Sequence, residues 1–170
     1  MTSNKSLAVE IVKNIAVIRF TRPHQKNPLS VATLEELKRL LSDFESNSHI
    51  SSIIFTGSGD TFASGANLRE IADTTADKAR EFALRGQDLM QQVYHSDKLT
   101  IAAIDSYCFG GALDLALSCK VRITSLRSEF AHPGVSLEST DYARFADCRH
   151  TQTRRPACSQ TPVLPPIQAV

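Results

Sequence analysis

"FASGANLREI", Phe62 to Ile71, places three small residues, Ser64-Gly65-Ala66, where a loop turns into a polar, helix-like run. Side chains this small carry almost no chemistry, so such a stretch presents its backbone. A second stretch, "CFGGALDLAL" from Cys108 to Leu117, also sets glycines at a helix entry. The first N–H groups of a helix have no carbonyl partner within it. They also lie at the positive end of the helix dipole. Glycine allows close backbone approach. Two N–H groups from two such turns, aimed at one oxygen, would make an oxyanion hole. A plain turn or packing requirement is the other reading of a Gly-Gly pair.

The surrounding pattern is that of a layered α/β domain. Leu7 to Lys13 and Ile15 to Phe20 alternate apolar and polar residues around Asn14 and read as two strands joined by a tight turn. The polar loop "TRPHQKNPLS" follows. Ser30 is placed to cap a helix with apolar positions Val31, Leu34, Leu37, Leu41 and Phe44. "SSIIFT", Ser51 to Thr56, is a short buried strand ending at "GSGD". A long helix spans about Ala76 to His95, with Ala79, Phe82, Ala83, Gly86, Leu89, Met90 and Val93 on one face. "TIAAI", Thr100 to Ile104, is another buried strand, and a third helix begins near Gly111. Val121 to Thr124 and Glu129 to Ala131 read as two more strands. Strand, strand and helix repeat, which predicts crossover helices over a sheet.

Composition narrows the function classes. The 170 residues suffice for one domain with a core. A net charge of +1 gives no bulk attraction to nucleic acid or anionic membrane. No apolar run approaches the roughly 18 residues of a membrane span. The first residues, "MTSNKSLAVEIVK", lack the apolar core of a signal peptide, so the cytoplasm is the expected location. Cys108, Cys119, Cys148 and Cys158 form no C-x-x-C pair and read as free thiols.

The order of four motifs resembles the crotonase superfamily, also called the enoyl-CoA hydratase/isomerase family. They are "RPHQKNPLS", "TGSGDTFASGANLREI", "AAIDSYCFGGALDLALSC" and "FAHPGVSL", and the resemblance runs from about Ser6 to Leu137. It implies an α/β fold, a crotonase-like spiral of repeated β-β-α units. It implies an acyl-CoA thioester as partner, with coenzyme A entering as part of the substrate rather than as a cofactor, and no metal. It also implies that the Ala66 and Gly111 amides hold the thioester oxygen as it becomes an enolate. Ala66, Asn67, Leu68 and Arg69 would then flank the CoA arm, and Gln25, Lys26 and Pro28 would lie in the loop on the pantetheine and adenine side. Lys26 and Arg69 are candidates for the CoA phosphates, or else solvated surface cations.

The chain departs from that resemblance at three places. Hydratases of the family use two glutamates, the first three residues after the second oxyanion glycine. Asp114 stands there, with a carboxylate roughly 1.5 Å further back for the missing methylene. It reads either as the acid/base or as a complement to the helix dipole. The second glutamate follows the proline of the last motif, where this chain has Gly134; nearby His132 reads as structural. The third departure is the end of the chain. Glu138 to Val170 holds a single leucine, Leu164, against 15 in the first 137 residues. It also holds four of the seven prolines and has no apolar period. The family continues instead with a glycine-rich stretch and helices that cover the acyl pocket and build trimers or hexamers. Residues 1–137 are therefore expected to be an incomplete core with its C-terminal part missing, and residues 138–170 a disordered, non-family tail.

Three readings of function follow. One is an acyl-CoA enzyme of the hydratase/isomerase type, with Ala66, Gly111 and Asp114 as its catalytic groups. The second is a truncated, inactive remnant that still binds CoA thioesters. The third is a non-enzymatic subunit packed on an intact relative. With one carboxylate absent, water addition to crotonyl-CoA is expected to be very slow. Brief proteolysis of the native protein should trim the chain to near Leu137; a tail as resistant as the core would refute the compositional reading.

Overall fold

Alternating apolar residues at the start of the chain make a hairpin. In the computed structural model, which describes residues 6–132, β1 (Leu7–Val12) pairs antiparallel with β2 (Ile15–Phe20), Leu7 opposite Phe20 and Val12 opposite Ile15. Lys13 makes the turn with φ 58°. The even positions Ala16, Ile18 and Phe20 of β2 are buried. Next to β2 lie, all parallel, β3 (Ser52–Thr56), β5 (Leu99–Ile104) and β7 (Val121–Thr124), in the order β1-β2-β3-β5-β7. Parallel neighbours require crossovers, and helices supply them.

The strands β3, β5 and β7 are each followed in the chain by a strand of a second, smaller sheet. This sheet has the order β4-β6-β8, built from β4 (Thr61–Ala63), β6 (Tyr107–Phe109) and β8 (Glu129–Ala131). After the β1-β2 start, whose strands both lie in the larger sheet, the unit of one strand in each sheet followed by helix occurs twice, and β7 and β8 begin a third. The sequence pattern missed β4 and β6, which run straight into the glycine turns, although it found the equally short β8. The two sheets meet at Phe20 and Phe62, whose rings lie edge to face with centroids 5.6 Å apart. Both rings are fully buried. A pair of this geometry contributes about 0.5–1.5 kcal/mol beyond its buried area.

The helices cover the larger sheet. α1 (Val31–Ser46) buries Leu34, Leu37, Leu40, Leu41 and Phe44, the expected stripe with Leu40 added and Val31 only half-buried. After the short α2 (Leu68–Ala72), α3 (Ala76–His95) runs beside α1. Lys38 pairs with Asp88 at 3.3 Å, and the Gln92 amide donates to the Lys38 carbonyl and the Ser42 hydroxyl. Only the second half of the predicted α3 face is buried, at Leu89, Met90 and Val93. Ala79, Phe82, Ala83 and Gly86 are half-buried. Nothing lies within 4 Å of where a Gly86 side chain would point, so that glycine answers no packing need among the described residues. α4 (Gly111–Ser118) buries Ala112, Leu115 and Ala116 between the sheets. Cys108 and Cys119 are buried free thiols, as expected; Cys148 and Cys158, with Gly134 and the whole tail, lie outside the described residues. No helix among the described residues is long and apolar enough to cross a membrane.

The start of α1 is fixed from two sides. The Ser30 hydroxyl accepts from the Thr33 amide at 3.3 Å, and the Glu70 carboxylate of α2 accepts from the Val31 amide at 2.8 Å. Ser30→Ala should therefore lower stability by about 1 kcal/mol. Urea unfolding checks this, and an unchanged midpoint would show that Glu70 alone suffices.

Candidate active site

The two glycine turns meet. Gly65 has φ 86°, and a Cβ on it would lie 2.7 Å from the Phe109 carbonyl oxygen and 2.8 Å from the Gly111 nitrogen. No side chain fits there. Gly110, at φ 55° and ψ −130°, caps α4 in a conformation that essentially only glycine adopts. Its amide donates to the Ala131 carbonyl at 2.9 Å, and its carbonyl accepts from Leu113 at 2.8 Å and Asp114 at 3.2 Å. The second turn is thereby tied both to β8 and to its own helix. Gly111 is the first residue of α4, so its N–H has no acceptor in the helix. A Cβ on Gly111 would lie 3.8 Å from the Ala66 nitrogen. Ala66 and Gly111, expected from sequence to work together, are thus neighbours across facing turns.

The loop before α1 is stitched to the same place. The Leu29 amide donates to the Gly65 carbonyl at 2.8 Å, and Leu29 bridges Ala66 as an isolated parallel pair. Asn27 is the residue that sequence reasoning passed over. It is buried, with φ 48°. Its side-chain amide donates to the Thr61 and Phe62 carbonyls at 2.8 and 3.2 Å, and its side-chain oxygen accepts from the Arg22 amide at 2.7 Å. An asparagine before proline in a polar loop was the available signal, since asparagine is the residue after glycine that best tolerates this backbone region.

The remaining expected residues line up along that loop and the start of α2. Gln25 and Lys26 are exposed, and Pro28 is half-buried. Lys26 is not a free surface cation: its ammonium pairs with Asp60 at 2.8 Å, 5.8 Å above the centre of the Tyr107 ring. The Lys26 hydrogen bond holds the Asp60 carboxyl below its ordinary range. So exposed a pair is weak, and another anion can displace it. Asn67 caps α2, its side-chain oxygen accepting from the Arg69 amide at 3.1 Å. Leu68 and Arg69 are both exposed, Leu68 at 67%.

Asp114 lies one turn into α4, half-buried. The sequence reading took the nearby His132 as structural; the structure puts its Nε2 3.5 Å from Asp114 Oδ2. The reason is the short strand β8, which ends at Ala131 against Gly110 and delivers the next residue to the first turn of α4. The contact with Asp114 raises the His132 pKa above 6.5 against the opposing effect of burial. Burial pushes the Cys119 thiol up to about 12 and raises Cys108 further, so neither supplies a thiolate. Among the described residues no group of three His, Cys, Asp or Glu side chains is placed to hold a metal.

Residues 10–150 match the family model described as enoyl-CoA hydratase/isomerase. The chain belongs to this family. It is 31% identical over 127 residues to the short-chain-enoyl-CoA hydratase of Clostridium acetobutylicum, covering 74% of this chain and 49% of that protein. It is 35% identical over 133 residues to a probable enoyl-CoA hydratase of Bacillus subtilis, covering 78% and 50%. The crystal structure of an enoyl-CoA hydratase from Bacillus anthracis superposes with a TM-score of 0.75 at 28% identity, covering 79% of this chain and 53% of that one. The chain spans about half the length of the curated relatives it matches. The crotonase-type α/β fold expected from the motifs is the fold observed.

The two glycines of this hydratase/isomerase-family site should respond oppositely to alanine. Gly65→Ala meets backbone atoms under 3 Å away at a left-handed φ, and should cost at least about 1–3 kcal/mol. Gly111→Ala makes ordinary contacts only and places a better helix former in α4. Its unfolding midpoint should equal or exceed that of the parent. Equal losses in the two variants would contradict the close approach described.

Proposed function

We propose that the chain binds an acyl-CoA thioester and stabilises its enolate between the Ala66 and Gly111 amides. The observation that carries this reading is the close approach of Gly65 to Phe109–Gly111, which sets two small-residue turns face to face. One donor stands at the start of an eight-residue helix, where the dipole favours negative charge. In the reaction a proton leaves the carbon next to the thioester carbonyl. The C–H electron pair becomes the enolate double bond, and charge gathers on the oxygen. Donors already aimed there stabilise that charge without reorganising. Asp114, one turn along the same helix, is the base in this reading. Lys26, released from Asp60, and Arg69 are the candidates for CoA phosphates, with Gln25, Pro28, Asn67 and Leu68 along the arm.

A second reading is favoured by one residue. Gly134 stands where the resemblance places the second glutamate, and a glycine offers neither acid nor base. On that reading the chain keeps thioester binding and has lost water addition.

Gly111→Pro tests the shared premise. Proline is tolerated at the first position of a helix but has no N–H to donate. Butyryl-CoA binding should weaken by about 5–10-fold, the value of one hydrogen bond. Exchange of its α-protons with heavy water should fall by about 10²–10³-fold. Unchanged binding and exchange would remove the oxyanion role from Gly111. Detectable binding without exchange in the parent chain would favour the second reading.

A further inference from the structure

A single short carboxylate needs something to hold it. Asp114 has one fewer methylene than glutamate and leaves α4 at the turn after Gly111, with 34% of its side chain exposed. Nothing on α4 itself is shown fixing its oxygens. The partner comes from the smaller sheet. β8 pairs in parallel with β6, Phe109 opposite Ala131, and the Gly110 amide donates to the Ala131 carbonyl. The glycine turn that starts α4 therefore also fixes where the chain delivers His132. Its ring is less exposed than the carboxylate, at 22%, and its Nε2 faces Asp114 Oδ2 at 3.5 Å.

We propose that His132 is the positioning partner of Asp114: its Nε2–H donates to Oδ2 and leaves Oδ1 turned to the bound thioester. This rests on the thioester reading above. Oδ1 takes the α-proton, so that one C–H bond breaks and one O–H bond forms. The electron pair passes through the enolate to the oxygen between Ala66 and Gly111. The same proton, or one exchanged with solvent water, returns to carbon as the carbonyl re-forms. The imidazolium offsets the charge of the resting carboxylate beside the thioester, before Oδ1 takes the proton. Asp114 is the charged group that acts on His132 among the described residues. The Cys108 thiol of β6, also beside Asp114, stays protonated through burial and that carboxylate.

The test uses the full 170-residue chain, butyryl-CoA in heavy water and the variants His132→Ala and His132→Gln. A carboxylate released from its donor should lose about 10–100-fold in exchange rate, the scale of a misplacement near 1 Å. His132→Ala should show that loss with butyryl-CoA affinity changed less than about 3-fold, a kcat effect rather than a KM effect. His132→Gln keeps an N–H donor and should recover much of the rate. In the parent the rate should decline as pH rises through the elevated His132 pKa, and in His132→Gln that inflection should vanish. By NMR the His132 ring should titrate above the ordinary value of about 6.5 and move back toward it in Asp114→Asn. Exchange and pH profile that ignore both His132 variants would overturn the proposal, as would a rate loss matched by lost affinity. A parent chain that binds butyryl-CoA without exchanging it overturns this proposal together with the enolate step of the reading above, and leaves thioester binding standing. A parent chain that does not bind it at all sinks the thioester reading as well.

Discussion

A methyl group has no room on Gly65, and much of the site follows from that exclusion. Its backbone sits so close to Phe109 and Gly111 that a Cβ would come within 2.8 Å of both. That contact joins two units of the repeat: the first turn follows β4 and the second follows β6. Both strands belong to the smaller sheet, where they pair in parallel. The function of the smaller sheet is legible in this light. Its strands are only three residues long and add little stability of their own, but they bring three chain crossings into one place. Ala66, Gly111 and His132 each lie one to three residues beyond the end of one of those strands.

The larger sheet and its helices hold this arrangement from behind. The Phe20–Phe62 contact fixes β4 to the hairpin, and Asn27 fixes the loop after β2 to the same strand. Breaking the Asn27 contacts would leave two buried carbonyls without their donor, at about 1–3 kcal/mol each. Glu70 closes the circuit by accepting from the first amide of α1. The loop of residues 23–30 is consequently a wall of the site, although it contains no regular strand. Its two left-handed residues, Lys26 and Asn27, cost backbone energy that these hydrogen bonds offset.

The elements legible from the sequence were those long enough to show a period. The hairpin, α1, β3, β5 and the core half of α3 all follow from apolar spacing. β4 and β6 are set by pairing between distant segments and merge into the glycine turns that follow them, whereas the equally short β8 stands clear after a polar stretch and was read. The first half of α3 shows the reverse limit: Phe82 and Ala83 have helical spacing, yet burial there depends on what lies opposite. At the site, Gly65, Ala66 and Gly111 were legible because close backbone approach demands small residues. Asp114 came from the resemblance, which places an acid three residues after Gly111, with a dipole role left open. His132 was not legible, because its distance from Asp114 is 18 residues along the chain and is closed only by the β6–β8 register. Lys26 was read as a cation with two possible uses, and the third, pairing with Asp60 from the turn before β4, is likewise a matter of register.

Charge explains why the Asp114–His132 contact suits this site better than an isolated aspartate. A carboxylate one turn into α4 gains from the helix dipole, as any acid near an N-terminus does. In the proposed reaction the same placement would set it close to the oxygen on which the enolate charge gathers, and like charges in a partly buried site repel strongly. A base must be anionic before the proton moves and becomes neutral afterwards, so the repulsion falls as the enolate forms. The cost therefore sits mostly in the resting state, when the thioester dipole meets an unreacted carboxylate. An imidazolium against Oδ2 lowers that cost while leaving Oδ1 its lone pairs. On the proposed reading, the half-buried ring 3.5 Å away would orient the carboxylate through Oδ2 while Oδ1 faces the substrate.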